Sequence, residues 1–577
     1  MSSDAEARPD IDERNVYRSR YRGLFHRVVC DEGHRVKNPA TNANRSVYLV
    51  GAPHIWILSA TPMINKPSDL IGYLHLLFDE AWRDPAPVNL GDAVEYYTAM
   101  DYSAPVEERL YQLDPVLFGK LTVHGKMGTW AAFQAIPKIL SLLQIRRSMA
   151  SVLTVIRNGA PEEVRIGDQI PHYNITTVEL ENSRAEQAEV SHFHAGLISR
   201  LKRFGRKVGQ NLATVLDPSS EEGRMNVKAY RRLCHLAYSP SLEVFARSTG
   251  SKNLVEHVTK WHEHGDYGLT FFITRSKRDY AMNVPRTRAE AALYIARSSA
   301  KLRYLAKLLL SKVIAEKRRI LIFAEWPMVS WHCEMFLQAL QFNVLSLRSA
   351  HSEDEKTRII TKFNDPAAKV DILITTYRCC SVGVNLHAAC HDVVMLQPAI
   401  NANTVLQAIG RVHRLGQTHV QDIHILFSDH TFDRFVEMRQ ATKMIAQIEG
   451  QGRSAFPELA SINAQEDSDT ERDIKVSDKV HDVASSLYQQ MLGQRRSRLG
   501  WTDPAKLYDP GEENRTRSNR RVPRHAAAPI PSSPQHPRGK SPPTTPDNRD
   551  PAPSQYGSTS SLKPSICNLQ PLTSLAA

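Results

Sequence analysis

No stretch of the 577 residues is apolar over the twenty or so positions that a helix needs to cross a bilayer, so membrane-spanning roles are excluded at the outset. The first 22 residues are charged and polar. They have neither the apolar core of a secretory signal nor the acid-poor, Arg-rich character of a transit peptide, so an intracellular address is expected. Cysteine is scarce: seven residues (Cys30, Cys234, Cys333, Cys379, Cys380, Cys390 and Cys567), too few and too scattered for a disulfide framework or a four-ligand zinc site. Cys379, Cys380, Cys390 and His391 are neighbours, but none of the usual ligand spacings is present, and small core residues are the simpler reading. There is no internal repeat of fixed period. Nor does any segment follow Gly-x-x-x-x-Gly-Lys-Ser/Thr, the loop whose backbone N–H groups and lysine cradle phosphates. Gly125-Lys126 lacks the spacing and the hydroxyl residue, and Gly539-Lys540-Ser541 lacks the earlier glycine.

The chain does carry hydrophobic residues at 42% and a formal net charge of +12, which suits a large protein of two or more domains with a polyanionic partner. Short β-branched runs, Phe25 to Cys30 and Ile55 to Ser59, read as buried parallel strands with loops at their carboxyl ends, where open α/β sheets place ligands. From about Asp79 to Arg297 the pattern is mostly helical, with amphipathic stretches at Trp130 to Ile145, Ser183 to Phe204 and Val227 to Tyr238. From Ser298 strands and helices alternate. Strands are expected at Ile320 to Phe323, Asn343 to Leu347, Val370 to Thr376, Asp392 to Leu396 and Gln421 to Phe427. Helices are expected at Met328 to Leu340, Ser352 to Phe363, Ala402 to Val412 and Thr431 to Ile448, which makes a parallel sheet flanked by helices. Beyond about Arg495 fourteen of the 33 prolines fall in the last 77 residues among Ser, Thr, Arg and Asn, a composition that cannot bury enough surface to offset chain entropy. That tail, 495–577, is expected to be disordered. Its clusters Arg495 to Arg498 and Arg515 to Arg524 suit nuclear import, nonspecific DNA contact, protein partners or plain solubility.

Three constellations carry chemistry. Asp31-Glu32-Gly33-His34 follows the first strand. An Asp there can hold the magnesium that bridges the outer phosphates of a nucleotide, and the adjacent Glu can activate water; a charged strand-to-loop transition is the plainer alternative. Ser59-Ala60-Thr61-Pro62 ends the second strand, where hydroxyls can relay between a nucleotide and a bound strand, though alone it is a turn. Far downstream lies Gln407-Ala408-Ile409-Gly410-Arg411-Val412-His413-Arg414-Leu415-Gly416-Gln417. On a helix, Gln407, Arg411 and Arg414 share one face, and two arginines there can stabilise a transferring phosphoryl group; a solvated basic helix end is the alternative. Before it, Thr375-Thr376-Tyr377-Arg378 and Gly383-Val384-Asn385-Leu386 occupy a strand end and its loop, where glycine permits close approach to phosphate and hydroxyls can bind a nucleic-acid backbone.

These segments, with Arg35 to Asn38, Leu58 to Asn65 and Ile320 to Phe323, resemble in order the motifs of the SWI/SNF-type DNA-dependent ATPases of helicase superfamily two. The likeness extends through Leu143 to Arg147, Tyr230 to Pro240 and Ser299 to Leu309, covering roughly residues 20 to 450. The resemblance implies an α/β protein with two RecA-like lobes that clamp ATP and magnesium, translocation on double-stranded DNA or chromatin, and a nuclear role in remodelling, transcription control or repair. It implies Asp31 for the metal, Glu32 for water, Arg411 and Arg414 for the phosphates, and His34, Gly383, Asn385 and Gln407 for nucleotide binding. Ser59, Thr61, Thr375, Thr376 and Arg378 would contact DNA or couple the two events. Domains are expected at 15–150 (a first lobe lacking its phosphate loop), 151–297 (helical connector) and 298–450 (second lobe). Cys380-Ser381 stands where the family has a glycine pair, Leu396-Gln397-Pro398 for Trp-Asn-Pro, Gly33 for Ala and Ala350 for Gly. The missing phosphate loop leaves two expectations, an ATPase represented by an incomplete chain or a non-hydrolysing DNA- or chromatin-binding module.

Overall fold

A computed structural model of the chain describes residues 19–59, 62–63, 66–83, 104–123, 129–147, 149, 151–208, 227–248, 268–276, 285–379, 383–445, 448 and 469–491. Thr61, Cys380, Ser381 and the tail 495–577 lie outside them. No helix among the described residues is long and apolar enough to cross a membrane.

The amino-terminal part has two parallel strands, β1 (Arg27–Cys30) and β2 (His54–Ile57), joined through helix α1 (Asn42–Val50). Thr41 caps α1 by accepting the Asn44 N–H, and Gly51 closes it in the left-handed region at φ 59°. The strands form where the sequence places them, but they are not buried: along each, exposed and half-buried residues alternate. The reason is that they pair only with each other, and one face, with Val29 and Trp56, meets no covering layer among the described residues. The other face sits over α2 (Ile71–Leu77), α3 (Pro115–Val123) and α4 (Thr129–Leu143), whose Leu74, Phe118, Ile136 and Ile139 make a compact apolar cluster. Asn44 ties this layer down: fully buried, it donates to the carbonyls of Val36 (2.6 Å) and Gly72 (2.9 Å) and meets His75 Nδ1 at 3.1 Å.

The connector differs from the helical reading of 151–297. It opens with an antiparallel hairpin, β3 (Val152–Arg157) and β4 (Ala160–Arg165), turned by Asn158-Gly159, both at positive φ. A long strand follows, β5 (Tyr173–Leu180), and only then come the helices α5 (Arg184–Val208), α6 (Val227–Tyr238), α7 (Pro240–Ser248), α8 (Leu269–Ser276) and α9 (Arg288–Ala296). The Asn-Gly pair and the run Ile175-Thr176-Thr177-Val178 are the local signals for strand, outweighed in the sequence reading by the helical periodicity on either side.

After α10 (Ala300–Leu309) the chain builds β6 (Ile320–Ala324), α11 (Pro327–Ala339), β7 (Val344–Leu347), α12 (Glu353–Asn364), β8 (Ile372–Thr376), β9 (Asp392–Met395), α13 (Ala402–Ile409), β10 (Gln421–Ser428) and α14 (Phe432–Lys443). A final helix, α15 (Asp469–Met491), packs back on α14, and its Tyr488 hydroxyl donates to Gln440. The six-stranded sheet is parallel throughout, in the order β5-β10-β9-β6-β8-β7. Its inner strands β6, β8 and β9 are buried along their whole length, which is why they read as unbroken Ile, Leu, Val and Phe runs rather than alternating ones. Ser352 and Glu355 form a capping box that starts α12, and Asn401 caps α13. The sheet therefore begins in the connector: β5 pairs with β10 over eight residues, Tyr173 with Gln421 through Leu180 with Ser428.

Candidate active site

At the carboxyl ends of β1 and β2 the backbone joins two motifs that are distant in sequence. The Leu58 N–H donates to Cys30 O (2.9 Å), and the Gly33 N–H donates to Leu58 O (2.7 Å), so the acidic segment and Ser59 lie at one sheet edge. Asp31 is exposed, and its Oδ1 accepts the Glu32 N–H at 2.8 Å. Glu32 is held at φ 49° and ψ 48°, a left-handed conformation that costs an L-residue about 1–2 kcal/mol. The short helical turn Gly33–Val36 starts from that bend. His34 Nδ1 lies 3.3 Å from Glu32 Oε2, and burial, helped by Arg35 and Lys37 against the pull of Glu32, lowers the imidazole pKa. Gly33 has no room for a larger residue: a Cβ there would sit 2.2 Å from Ile57 Cγ2. The departure from Ala at this position is thus matched by the bulk of Ile57 on the neighbouring strand.

In the second lobe Thr375 and Thr376 end β8. Thr375 is fully buried and donates to Leu347 O (3.1 Å), so its hydroxyl is turned into the sheet, where a nucleic-acid phosphate does not reach it. Thr376 donates to Cys379 Sγ at 3.2 Å, and Arg378 is exposed. Gly383 lies in open space, with no atom within 4 Å of an added Cβ, so no close backbone approach within the fold demands glycine there. Asn385 is exposed and its carbonyl accepts from Asn364 Nδ2 (2.8 Å).

The expected helical face is corrected by the structure. Helix α13 ends at Ile409, and Gly410 to Leu415 run as turns. Gln407 is half-buried on the helix, while Arg411 and Arg414 lie beyond it, placed by loop contacts rather than by helical spacing. The Leu386 N–H donates to Arg411 O (3.0 Å), which joins the Gly383–Leu386 loop to the arginine segment. Arg411 is buried; Arg414 is half-buried beside His387, whose pKa is lowered by burial and by that guanidinium. Gln417 fixes the segment's far end, its Nε2 donating to Cys390 O (3.1 Å), Val412 O (3.3 Å) and His387 O (3.4 Å), with Gly416 before it at φ 94°. Among the described residues no hydrogen bond or ion pair joins Asp31, Glu32 or His34 to the second lobe.

Three further residues organise the site without having been singled out for it. Gln397 is buried at the end of β9; its Oε1 accepts from Glu325 N (3.2 Å) and Trp326 N (3.4 Å), and its Nε2 donates to Cys234 O of α6 (3.3 Å). Tyr377, stacked on Phe323 at 5.4 Å, donates to Gln397 O (2.7 Å). Glu325, at the end of β6, is buried and its carboxyl is pushed up to about 8 by desolvation, against the opposing pull of Arg378 and Lys443. The signal available in sequence is position alone: each stands within two residues of the end of a buried strand.

With this geometry in place, two family models match the chain: SNF2-related domain over residues 12–88 and Helicase conserved C-terminal domain over 300–416. The chain thus carries a segment similar to the SNF2-related domain and one similar to the helicase C-terminal domain. Among its curated relatives, DNA repair protein RAD5 of Gibberella zeae is 21% identical over 491 residues, 75% of this chain and 42% of that protein. Chromatin structure-remodeling complex subunit snf21 of Schizosaccharomyces pombe is 28% identical over 179 residues (29% and 15%), and ATP-dependent DNA helicase DDM1 of Arabidopsis thaliana is 26% identical over 171 (29% and 22%). The chain spans about two-fifths of the length of the RAD5 protein it matches. A crystal structure of the C-terminal part of the Fun30 ATPase domain aligns with 56% of this chain and all of that one at 18% identity and a TM-score of 0.34, too slight a likeness to add to the sheet topology.

Proposed function

We propose that this chain serves a DNA-dependent ATPase that works on duplex DNA or chromatin in the nucleus. The supporting observation is the pair of backbone links that gather the motifs: Gly33 to Leu58 in the first lobe and Leu386 to Arg411 in the second. The first lies at the carboxyl ends of β1 and β2, the ligand side of an open parallel sheet, and the second lies toward the amino ends of β9 and β10, where Gln417 reaches Cys390 O and His413 meets Gln421. The exposed Asp31 carboxylate has the charge and position to take a magnesium ion bound to ATP, and magnesium would neutralise charge on the outer phosphates. Glu32, bent back beside it, would accept a proton from the attacking water, with His34 neutral next to its carboxylate. Arg411 and Arg414 would meet the phosphates, and Arg378 and Ser59 would serve DNA contact or coupling. No segment of the sequence has the phosphate-loop pattern, so the β- and γ-phosphate contacts are not assigned to any residue.

ATP turnover by the full chain, with and without duplex DNA and beside Glu32→Gln, tests the reading. DNA-stimulated turnover that Glu32→Gln reduces at least about a hundredfold is expected of a general base. Turnover that Glu32→Gln leaves unchanged removes the site assignment. Salt-sensitive DNA binding without turnover would instead identify a binding module that retains the fold.

A further inference from the structure

The connector carries a surface that the nucleotide site does not use. In the last two turns of α5, Arg200, Lys202, Arg203, Arg206 and Lys207 are all exposed, five bases in eight residues with no acid between them. Like charges three and four apart on a helix repel, so this run lowers the helix's own stability, only partly offset by the helix dipole at that end. None of the five has an ion pair among the described residues. Arg200, Arg203 and Lys207 recur at spacings of three and four and share a stripe with Phe193, seven residues before Arg200.

Two neighbouring helices extend the stripe. Arg247, exposed at the end of α7, lies over the Phe193 ring with its guanidinium carbon 5.6 Å from the centroid. Arg275, exposed at the end of α8, is joined to the same corner because its carbonyl accepts the Ser248 hydroxyl at 3.3 Å. The one acid of α7 cannot neutralise them. Glu243 is fully buried and engaged by Arg232 of α6, whose Nε donates at 2.7 Å. Arg200 and Arg247 add to the positive field around that carboxylate, whose pKa burial nonetheless raises.

We infer that the corner formed by the ends of α5, α7 and α8 is a second nucleic-acid contact, binding the phosphodiester backbone of duplex DNA through Arg200, Arg203, Lys207 and Arg247. Arg200 to Lys207 spans about 10 Å of helix, which with the reach of the side chains suits roughly two or three neighbouring phosphates of one strand. A backbone contact of this kind adds affinity and register without reading sequence. The inference rests on the proposed DNA-dependent function and goes beyond it by giving the connector its own binding face.

The test measures duplex-DNA affinity of the full chain from about 50 to 200 mM salt, for the parent, for R200Q/R203Q/K207Q and for R200K/R203K. The triple variant is expected to lose affinity on unrelated sequences alike, with the slope of log affinity against log salt falling by roughly 2–3. R200K/R203K keeps the charge and is expected to retain the parental slope, which separates lost charge from lost folding. Unchanged affinity and slope in the triple variant, with the parent still binding, overturns this contact and leaves the DNA-dependent function standing. A parent that does not bind duplex DNA overturns both. A triple variant that binds DNA normally but loses a polyglutamate peptide would assign the face to an acidic protein and overturn the DNA contact.

Discussion

Glu32 combines a catalytic assignment with backbone strain, and the two can be separated by substitution. Its left-handed backbone is held by the Asp31 side chain, which accepts the Glu32 N–H, and by the Glu32 carbonyl, which accepts the Arg35 N–H at 3.1 Å. Glycine adopts that conformation freely, so Glu32→Gly is expected to relieve about 1 kcal/mol in the folded state while removing the carboxylate. The greater freedom of glycine in the unfolded chain takes some of that back, so the net change should be close to zero or slightly stabilising. Denaturant unfolding checks it; a loss of more than about 2 kcal/mol would mean that the Glu32 carboxylate, through His34, holds the turn. Asp31 and Glu32 were legible in the sequence because paired acids after an apolar run are a local pattern. The bend at Glu32 was not, since nothing in the residue type announces positive φ. Gly33 shows the converse: its departure from alanine is visible in sequence, but its reason, the Ile57 side chain, lies on another strand.

At the scale of elements, the strands and helices from 298 onward were readable because buried parallel strands and amphipathic helices differ in period and in composition. What periodicity could not give is where a pattern stops. Glutamine and two arginines at helical spacing suggested one face, yet α13 ends before Arg411, where the chain turns to reach Leu386. Strand β5 is not legible for a related reason, because its partner is far along the chain and its residues are only exposed or half-buried, with none in the core. The joint between connector and sheet is also testable. Gln397 holds α6 against the ends of β6 and β9 through three hydrogen bonds, all to main-chain groups. Gln397→Leu would leave the Glu325 and Trp326 N–H groups and the Cys234 carbonyl buried without it, and a loss of about 3 kcal/mol is expected. Urea unfolding would show it as a lower midpoint at unchanged slope; an unchanged midpoint would mean that solvent replaces the amide.

For the whole molecule, acid sensitivity follows from which groups are buried. His194, His235 and His332 are each lowered to about 3 by burial; for His235 the charges of Arg231, Arg232 and His332 add to it. The unfolded chain therefore binds more protons than the native one between about pH 3 and 6.5, and these groups make stability rise with pH across that window. Glu325, raised to about 8, and Asp392, raised to about 6 chiefly by burial, act in the opposite sense, since there the native state holds the extra proton. Near pH 5 three histidines outweigh two carboxyls, giving a net rise of roughly 2 kcal/mol per pH unit. Above about pH 7 Glu325 outweighs what remains of the histidine contribution, and stability should fall by about half a kcal/mol per unit toward pH 8. Thermal midpoints across pH 4.5–8 are thus expected to peak near neutrality, and a steady rise to pH 8 would contradict a buried protonated Glu325.

The pairing of β5 with β10 also sets a timetable. Asn174 and Asp422, joined side by side at 3.3 Å across these strands, are 248 residues apart. At a synthesis rate of about 5–20 residues per second, β5 emerges roughly 12–50 s before the strand that will cover it. Throughout that interval its N–H and C=O groups form an open edge, available to any other extended chain nearby. The last strand of the sheet to be made closes the side of β5 that it pairs, so a ribosome that stalls between the two strands leaves behind a nascent chain with both sides of β5 open and a strong tendency to aggregate.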